Sequence, residues 1–154
     1  MKTSDKIRLH DFIEFAIVNE QEAAGLYEKY ADVCISRVQK ELLERMAIME
    51  RNHEKILKNF SKGVVGSFST RHDPTDLKIT DFMVPVVLTQ NSTLQDVFIF
   101  AIKAEKKAAE LYETLANLEE EPKAKALLEN LSCEEKIHKH DLEAEFEKTF
   151  ISEN

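Results

Sequence analysis

The sequence predicts an all-α protein: an antiparallel four-helix bundle built from two similar helical hairpins and one long crossover. Three observations lead there. The 154 residues hold three Gly and three Pro, so few breakers interrupt a chain rich in Ala, Leu, Glu and Lys, which are good helix formers. Apolar residues recur at helical steps of three and four. The chain also repeats itself at an offset of 85 residues: 15–31 aligns with 100–116 without a gap at 10 identities in 17, and 41–57 aligns with 126–142 at 6 in 17. Unrelated helices share far fewer, so the chain reads as two copies of one hairpin related by a pseudo-two-fold axis.

The first helix is predicted over about 8–34, with an apolar stripe of Ile13, Ala16, Ala23, Tyr27, Ala31 and Cys34 and one gap at position 20. Ser36 then reads as an N-cap, with Gln39 three residues on completing a capping box, so the second helix spans about 37–60. So short a connection forces the two to run antiparallel. Residues 61–93, with Gly63, Gly66, Pro74 and Pro85, form a connection too long for a simple turn. Its predicted role is to carry the chain along the bundle, so that equivalent helices face each other across the axis. Within it, 81–88 reads as a short segment, either strand-like or helical. The third helix begins after Ser92, again with a Gln (Gln95) at the capping-box position, and continues to about Leu118. Pro122 suits the first turn of a fourth helix reaching about Phe150. Residues 1–154 are thus expected to form a single domain, with hairpins at about 8–60 and 94–150.

Composition limits the partners. A net charge of −8 disfavours nucleic acid and anionic membranes. The longest uncharged apolar run, 82–88, contains a Pro and is too short to span a bilayer. The N-terminus opens no apolar stretch, and Cys34 and Cys133 belong to no C-x-x-C, so a cytoplasmic protein with reduced thiols is expected. Three successive apolar residues, Phe98, Ile99 and Phe100, exceed what one helix face can bury and predict a homodimer or larger assembly.

The chemistry lies in the gaps of the stripes. Each half carries a lone Glu followed 30 residues later by Glu-x-x-His: Glu20 with Glu50 and His53, then Glu105 with Glu135 and His138. Glu50 and His53 fill the gap in the second helix's row of Leu42, Met46, Leu57 and Phe60. Glu135 and His138 do the same among Leu128, Leu131, Leu142 and Phe146, while Glu20 and Glu105 fill the gaps before Tyr27 and Tyr112. All six are therefore expected at one level of the bundle centre. Four carboxylates there, with Arg51, Lys106, Lys107 and Lys136 only on the flanks, would repel one another unless cations were present. The expectation is a site for two metal ions, with Glu50 and Glu135 bridging and Glu20 and Glu105 terminal. An oxygen-rich, nitrogen-containing, sulfur-free donor set suits iron or manganese better than structural zinc, with zinc possible as an adventitious occupant. Tyr27 and Tyr112, two turns after each lone Glu, are the candidates for a further catalytic role; they either pack the core or bond a ligand carboxylate. His10, His72 and His140 read as solvated, and Glu54 and Glu134 as surface charges.

With these paired Glu…Glu-x-x-His halves over nearly its whole length, the chain resembles the rubrerythrin branch of the ferritin-like di-iron proteins. The resemblance implies a ferritin-like bundle holding two iron ions per chain, with Glu20, Glu50, His53, Glu105, Glu135 and His138 as ligands. It implies redox chemistry with hydrogen peroxide or dioxygen, and ferritin-like iron oxidation and storage as the alternative. Two departures qualify it. The sequence has no rubredoxin-type pair of C-x-x-C motifs, so electrons are expected from a separate donor such as a rubredoxin-type protein. Full-type rubrerythrins also place an extra Glu one turn after the third-helix ligand, where this chain has Ala108.

Overall fold

A computed structural model describes residues 3–62, 78–84 and 88–151. Four helices dominate it: α1 (Thr3–Val33), α2 (Arg37–Ser61), α3 (Leu94–Leu118) and α4 (Pro122–Phe146). A 3-10 turn at Ile79–Phe82 precedes α3 and a π turn at Glu147–Ile151 follows α4. The expected all-α bundle is what forms. The Gly and Pro residues predicted to break the crossover, and part of the 81–88 segment, lie outside the described residues.

Helix boundaries follow local chemistry, and several differ from the sequence-based expectation. α1 begins at Thr3 rather than near residue 8, since no breaker stands in that tract. Ser36 caps α2 as expected, its hydroxyl accepting from the Gln39 amide at 3.3 Å. The reciprocal arm of that capping box is absent, because the buried Gln39 side chain donates instead to Thr149 Oγ1. On α3 the cap is Thr93, not Ser92, and its box partner is Asp96. Thr93 Oγ1 accepts from the Asp96 amide at 3.1 Å while Asp96 Oδ2 accepts from the Thr93 amide at 2.9 Å. Ser92 is otherwise engaged, accepting from the Thr89 amide in the preceding turn. Pro122 opens α4 behind a Glu121 cap. The last turn widens after Phe146, and Phe150 comes to rest 5.9 Å from Phe98 and 5.2 Å from Phe146, centroid to centroid.

The direction of each helix can be read from its cross-contacts. Glu14 meets Ser61, Gln21 meets Glu54, and Glu28 meets Arg51, so α1 and α2 run antiparallel. Tyr27 reaches Glu105 while Tyr112 reaches Glu20, so α1 and α3 are also antiparallel. His53 lies against Glu135 and His138 against Glu50, which gives α2 and α4 the same relation. Hairpins related this way have a pseudo-two-fold axis crossing the bundle, and α2 and α3 then point the same way. Only a connection long enough to traverse the bundle can join them.

The core is split in two. One apolar cluster gathers Phe12, Ile13, Ile17, Leu57, Phe60, Leu111, Leu115 and Leu128 with their neighbours, and the other gathers Leu42, Leu43, Met46, Phe98, Ala101 and Leu142 with theirs. Phe82 of the 3-10 turn caps the first, edge-on to Phe12 at 6.0 Å. Phe98 is fully buried within its own chain, so of the apolar triplet only Ile99 and Phe100 keep partial exposure. In α1 the buried alanine beside the stripe is Ala24, with Ala23 only partly buried. No described helix is long and apolar enough to cross a membrane.

Gly25 has no structural need to be glycine: it lies inside α1, and an added Cβ would meet nothing within 4 Å. Gly25→Ala is expected to raise the unfolding free energy by about 0.5–1 kcal/mol, through lower chain entropy in the unfolded state. Urea unfolding of the two proteins side by side measures this; a lower midpoint for the variant would be the contrary result.

Candidate metal centre

Between the two apolar clusters lies a polar layer. Glu20, Glu50, His53, Glu105, Glu135 and His138 are all at most 2% exposed. Each is placed there by its helix, because steps of three and four bring the gap in every apolar row to the same level. The structure brings all six predicted residues together. Their donor atoms form two overlapping groups, Glu20, Glu50, His53 and Glu135 in one and Glu50, Glu105, Glu135 and His138 in the other, with the atoms of each within 4.8 Å of one another. Glu50 and Glu135 belong to both groups, while each histidine and each lone Glu belongs to one.

The two halves, related by the pseudo-two-fold axis, nearly match in their distances. His53 Nδ1 lies 2.7 Å from Glu135 Oε1 and 3.6 Å from Glu20 Oε1. His138 Nδ1 lies 2.8 Å from Glu50 Oε1 and 3.6 Å from Glu105 Oε2. The imidazoles stack with centroids 5.8 Å apart. These approaches are close but not aligned as hydrogen bonds. Both Nδ1 atoms, both Glu135 oxygens, Glu20 Oε2, Glu50 Oε1 and Glu105 Oε2 are buried without a hydrogen-bond partner. Orphaned polar atoms in a protein interior cost free energy, and here their residues gather in one small volume.

Electrostatics sharpens the same point. Burial, with the charges of Glu105 and Glu20 beside it, pushes the Glu50 carboxyl well above the carboxylate range. Burial raises Glu105 as well. For Glu20 burial pulls upward too, but bonding to Glu50 and His53 outweighs it and holds the group low. No Lys or Arg is among the buried side chains of the described residues. Inside the layer burial pulls His53 down but bonding to Glu20 and Glu134 raises it, and a pair of divalent cations would balance the remaining carboxylate charge while filling the orphaned valences. The donor set fits: oxygen-rich, one imidazole per group, and two shared carboxylates able to bridge.

Of the two roles open to the tyrosines, both are realised. Tyr27 and Tyr112 are core residues at 1% exposure. Their hydroxyls donate across the hairpins, Tyr27 to Glu105 Oε1 at 2.6 Å and Tyr112 to Glu20 Oε1 at 2.5 Å. Burial, then the neighbouring carboxylates, drives both phenols well above their ordinary range, so they stay protonated donors.

Some expectations need correcting. Glu134 is no idle surface charge, since its Oε2 lies 2.5 Å from His53 Nε2 although the side chain is 43% exposed. Glu54 is also engaged, at 13% exposure: bonds from Lys58 and Gln21, then Arg51, hold its carboxyl down to about 2. Met49, which drew no attention in the sequence, lies 3.2 Å through Sδ from His138 Nε2. His10 and His140 are exposed as expected, and His72 lies outside the described residues. Cys34 and Cys133 are both free.

The layer is reached by a cavity of about 510 Å³ between α1 and α3, its floor formed by Glu20, Glu50, Glu105 and Glu135. Its walls are mostly apolar, including Phe15, Leu26, Phe82, Phe100 and Ala108. Ala108, the small residue one turn after Glu105, is part of this lining.

The family described as Rubrerythrin matches residues 11–146. A hypothetical protein from Pyrococcus furiosus has a similar solved structure, with a TM-score of 0.71 and 26% identity, covering 90% of this chain and 88% of that one. No curated protein matches the chain.

Because the phenol bonds are swapped between hairpins, each ties one half of the repeat to the other. Tyr27→Phe and Tyr112→Phe should each destabilise the fold by about 1–3 kcal/mol, by leaving a buried carboxylate oxygen without its donor. The pseudo-symmetry predicts losses of similar size in guanidinium unfolding; a loss confined to one of the two variants would contradict it.

Proposed function

The chain belongs to the rubrerythrin family, and from that premise we propose that it is a di-iron oxidoreductase that reduces hydrogen peroxide or dioxygen with electrons from a separate donor. The family and the buried Glu/His cluster fit a di-iron site. One observation carries the finer reading: two donor groups share Glu50 and Glu135, and the residues of their orphaned atoms gather in one small volume. On this reading Glu20, Glu50, His53 and Glu135 hold one ion, and Glu50, Glu105, Glu135 and His138 hold the other. Iron bound there would supply two one-electron centres, together matching the two electrons that cleave the O–O bond of hydrogen peroxide or take dioxygen to the peroxide level.

The chain's own residues prepare the rest. Tyr27 and Tyr112 fix the orientation of Glu105 and Glu20 and keep a proton beside the site. The apolar cavity admits a small molecule to the carboxylate side and limits bulk water there, which suits dioxygen and peroxide. Cys34 and Cys133 are unpaired and offer no internal dithiol, so the proposed electron source is a partner of the rubredoxin type. Exposed Val33, Ile35 and Val38 at the α1–α2 turn offer a face on which two chains could pair as a homodimer.

The test loads the protein with Fe(II) under argon and mixes it with peroxide in a stopped-flow instrument. Rapid oxidation by about one peroxide per iron pair is expected, with turnover only when a reduced donor is added. Replacing both His53 and His138 by Ala should abolish stoichiometric iron binding while circular dichroism stays helical. A fully ferrous protein inert to peroxide would sink the proposal. Mineral-sized iron loading in a shell-like assembly would replace it with storage.

A further inference from the structure

The two Glu-x-x-His motifs are near copies, but the residues just before them are not. Met49 precedes Glu50 and Glu134 precedes Glu135, and these are equivalent positions in the 85-residue repeat. Each side chain reaches across to the histidine of the other hairpin. Glu134 Oε2 lies 2.5 Å from His53 Nε2, whereas Met49 Sδ lies 3.2 Å from His138 Nε2.

In both rings Nδ1 faces the carboxylate cluster and Nε2 faces outward. When a cation occupies either group, Nδ1 must offer it a lone pair, so the ring proton lies on Nε2, where a carboxylate on one side and a thioether on the other can accept it. The tautomer is therefore the same on both sides, and the strength of the outer bond is not. A bond to carboxylate is charge-assisted and short, while sulfur is a weak acceptor. Glu134 keeps nearly half its side chain in solvent, so its charge is not stranded in the core. The carboxylate also draws the ring proton outward and makes the opposite nitrogen a better donor.

We propose that Glu134 is a positioning residue that makes the two halves of the site unequal, so that the group of Glu20, Glu50, His53 and Glu135 takes a divalent cation more tightly than the group of Glu50, Glu105, Glu135 and His138. The inference rests on the ligand reading above and goes beyond it by ranking the two positions and naming the cause. Outer partners of metal-bound imidazoles generally change affinity by about 10–100-fold, so filling should be stepwise.

Cobalt(II) is a suitable probe, because its ligand-field absorption reports the ligands of each ion. Titration of metal-free protein, followed by absorbance and calorimetry, should show two steps about 10–100-fold apart. His53→Ala should remove the tighter step, which assigns it. Glu134→Met should weaken that step and close the gap, and Glu134→Gln should fall between. Met49→Glu should strengthen the weaker step, and the Glu134→Met/Met49→Glu exchange should reverse the order. Long-range proton–nitrogen NMR of zinc-loaded protein adds a readout that a mere helix-to-helix tie would not move: the His53 Nε2 proton should lie far downfield and shift back in Glu134→Met. Two steps of equal affinity in the wild type, or two constants that Glu134→Met and Met49→Glu both leave unmoved in folded protein, would overturn the inference while leaving the metal reading intact. Failure to bind cobalt at all would overturn both.

Discussion

Four carboxylates held in one buried layer repel each other, and each has given up most of its hydration to be there. With Glu20, Glu50, Glu105 and Glu135 at most 2% exposed, no fold built on apolar packing alone would retain them. The rest of the structure is arranged around this constraint. Two apolar clusters flank the layer and carry the bundle's cohesion. Two phenols brace the layer from across the hairpins. What remains unbalanced is charge and a set of orphaned atoms, and a pair of cations would correct both at once. Folding and metal binding are coupled in such a site, because the ligands that weaken the empty bundle are those the ions would satisfy.

Much of this was legible from spacing. The lone Glu and the Glu-x-x-His fall in the gaps of apolar rows, and a helix converts a gap in the row into a position facing the core. Because the repeat does this in both halves, the six residues converge by symmetry, and the crossover follows from the direction the helices must take. What stayed hidden involves reach between helices. Glu134 lies just beside its own row, so its sequence position reads as surface, yet α2 brings His53 within bonding distance of it. A sequence signal did exist: the 85-residue repeat pairs Met49 with Glu134 directly before the motif. Capping failed for a similar reason. Gln39 was free to close a box until Thr149, 110 residues away, offered a better partner.

The two faces of the layer serve different ends. The imidazoles turn their outer nitrogens toward Glu134 and Met49, next to a solvent-facing groove. On the other side, the carboxylates open into a cavity lined mainly by apolar side chains and Ala108. The cavity leaves room for a small molecule beside the carboxylates without displacing the residues that line the layer. In the bundle the pseudo-symmetry is close, but the two sides of the layer are not alike, and the two histidines are not backed alike.

On the reading proposed above, the polar layer holds two metal ions. Anomalous diffraction at the iron edge, from crystals of protein purified and grown without oxygen, tests it most directly. Two strong anomalous peaks are expected inside the layer, one within reach of Glu20 and His53, the other within reach of Glu105 and His138, with Glu50 and Glu135 touching both. A layer without anomalous signal in crystals soaked with ferrous iron, its carboxylates bonded only to protein or water, would contradict it.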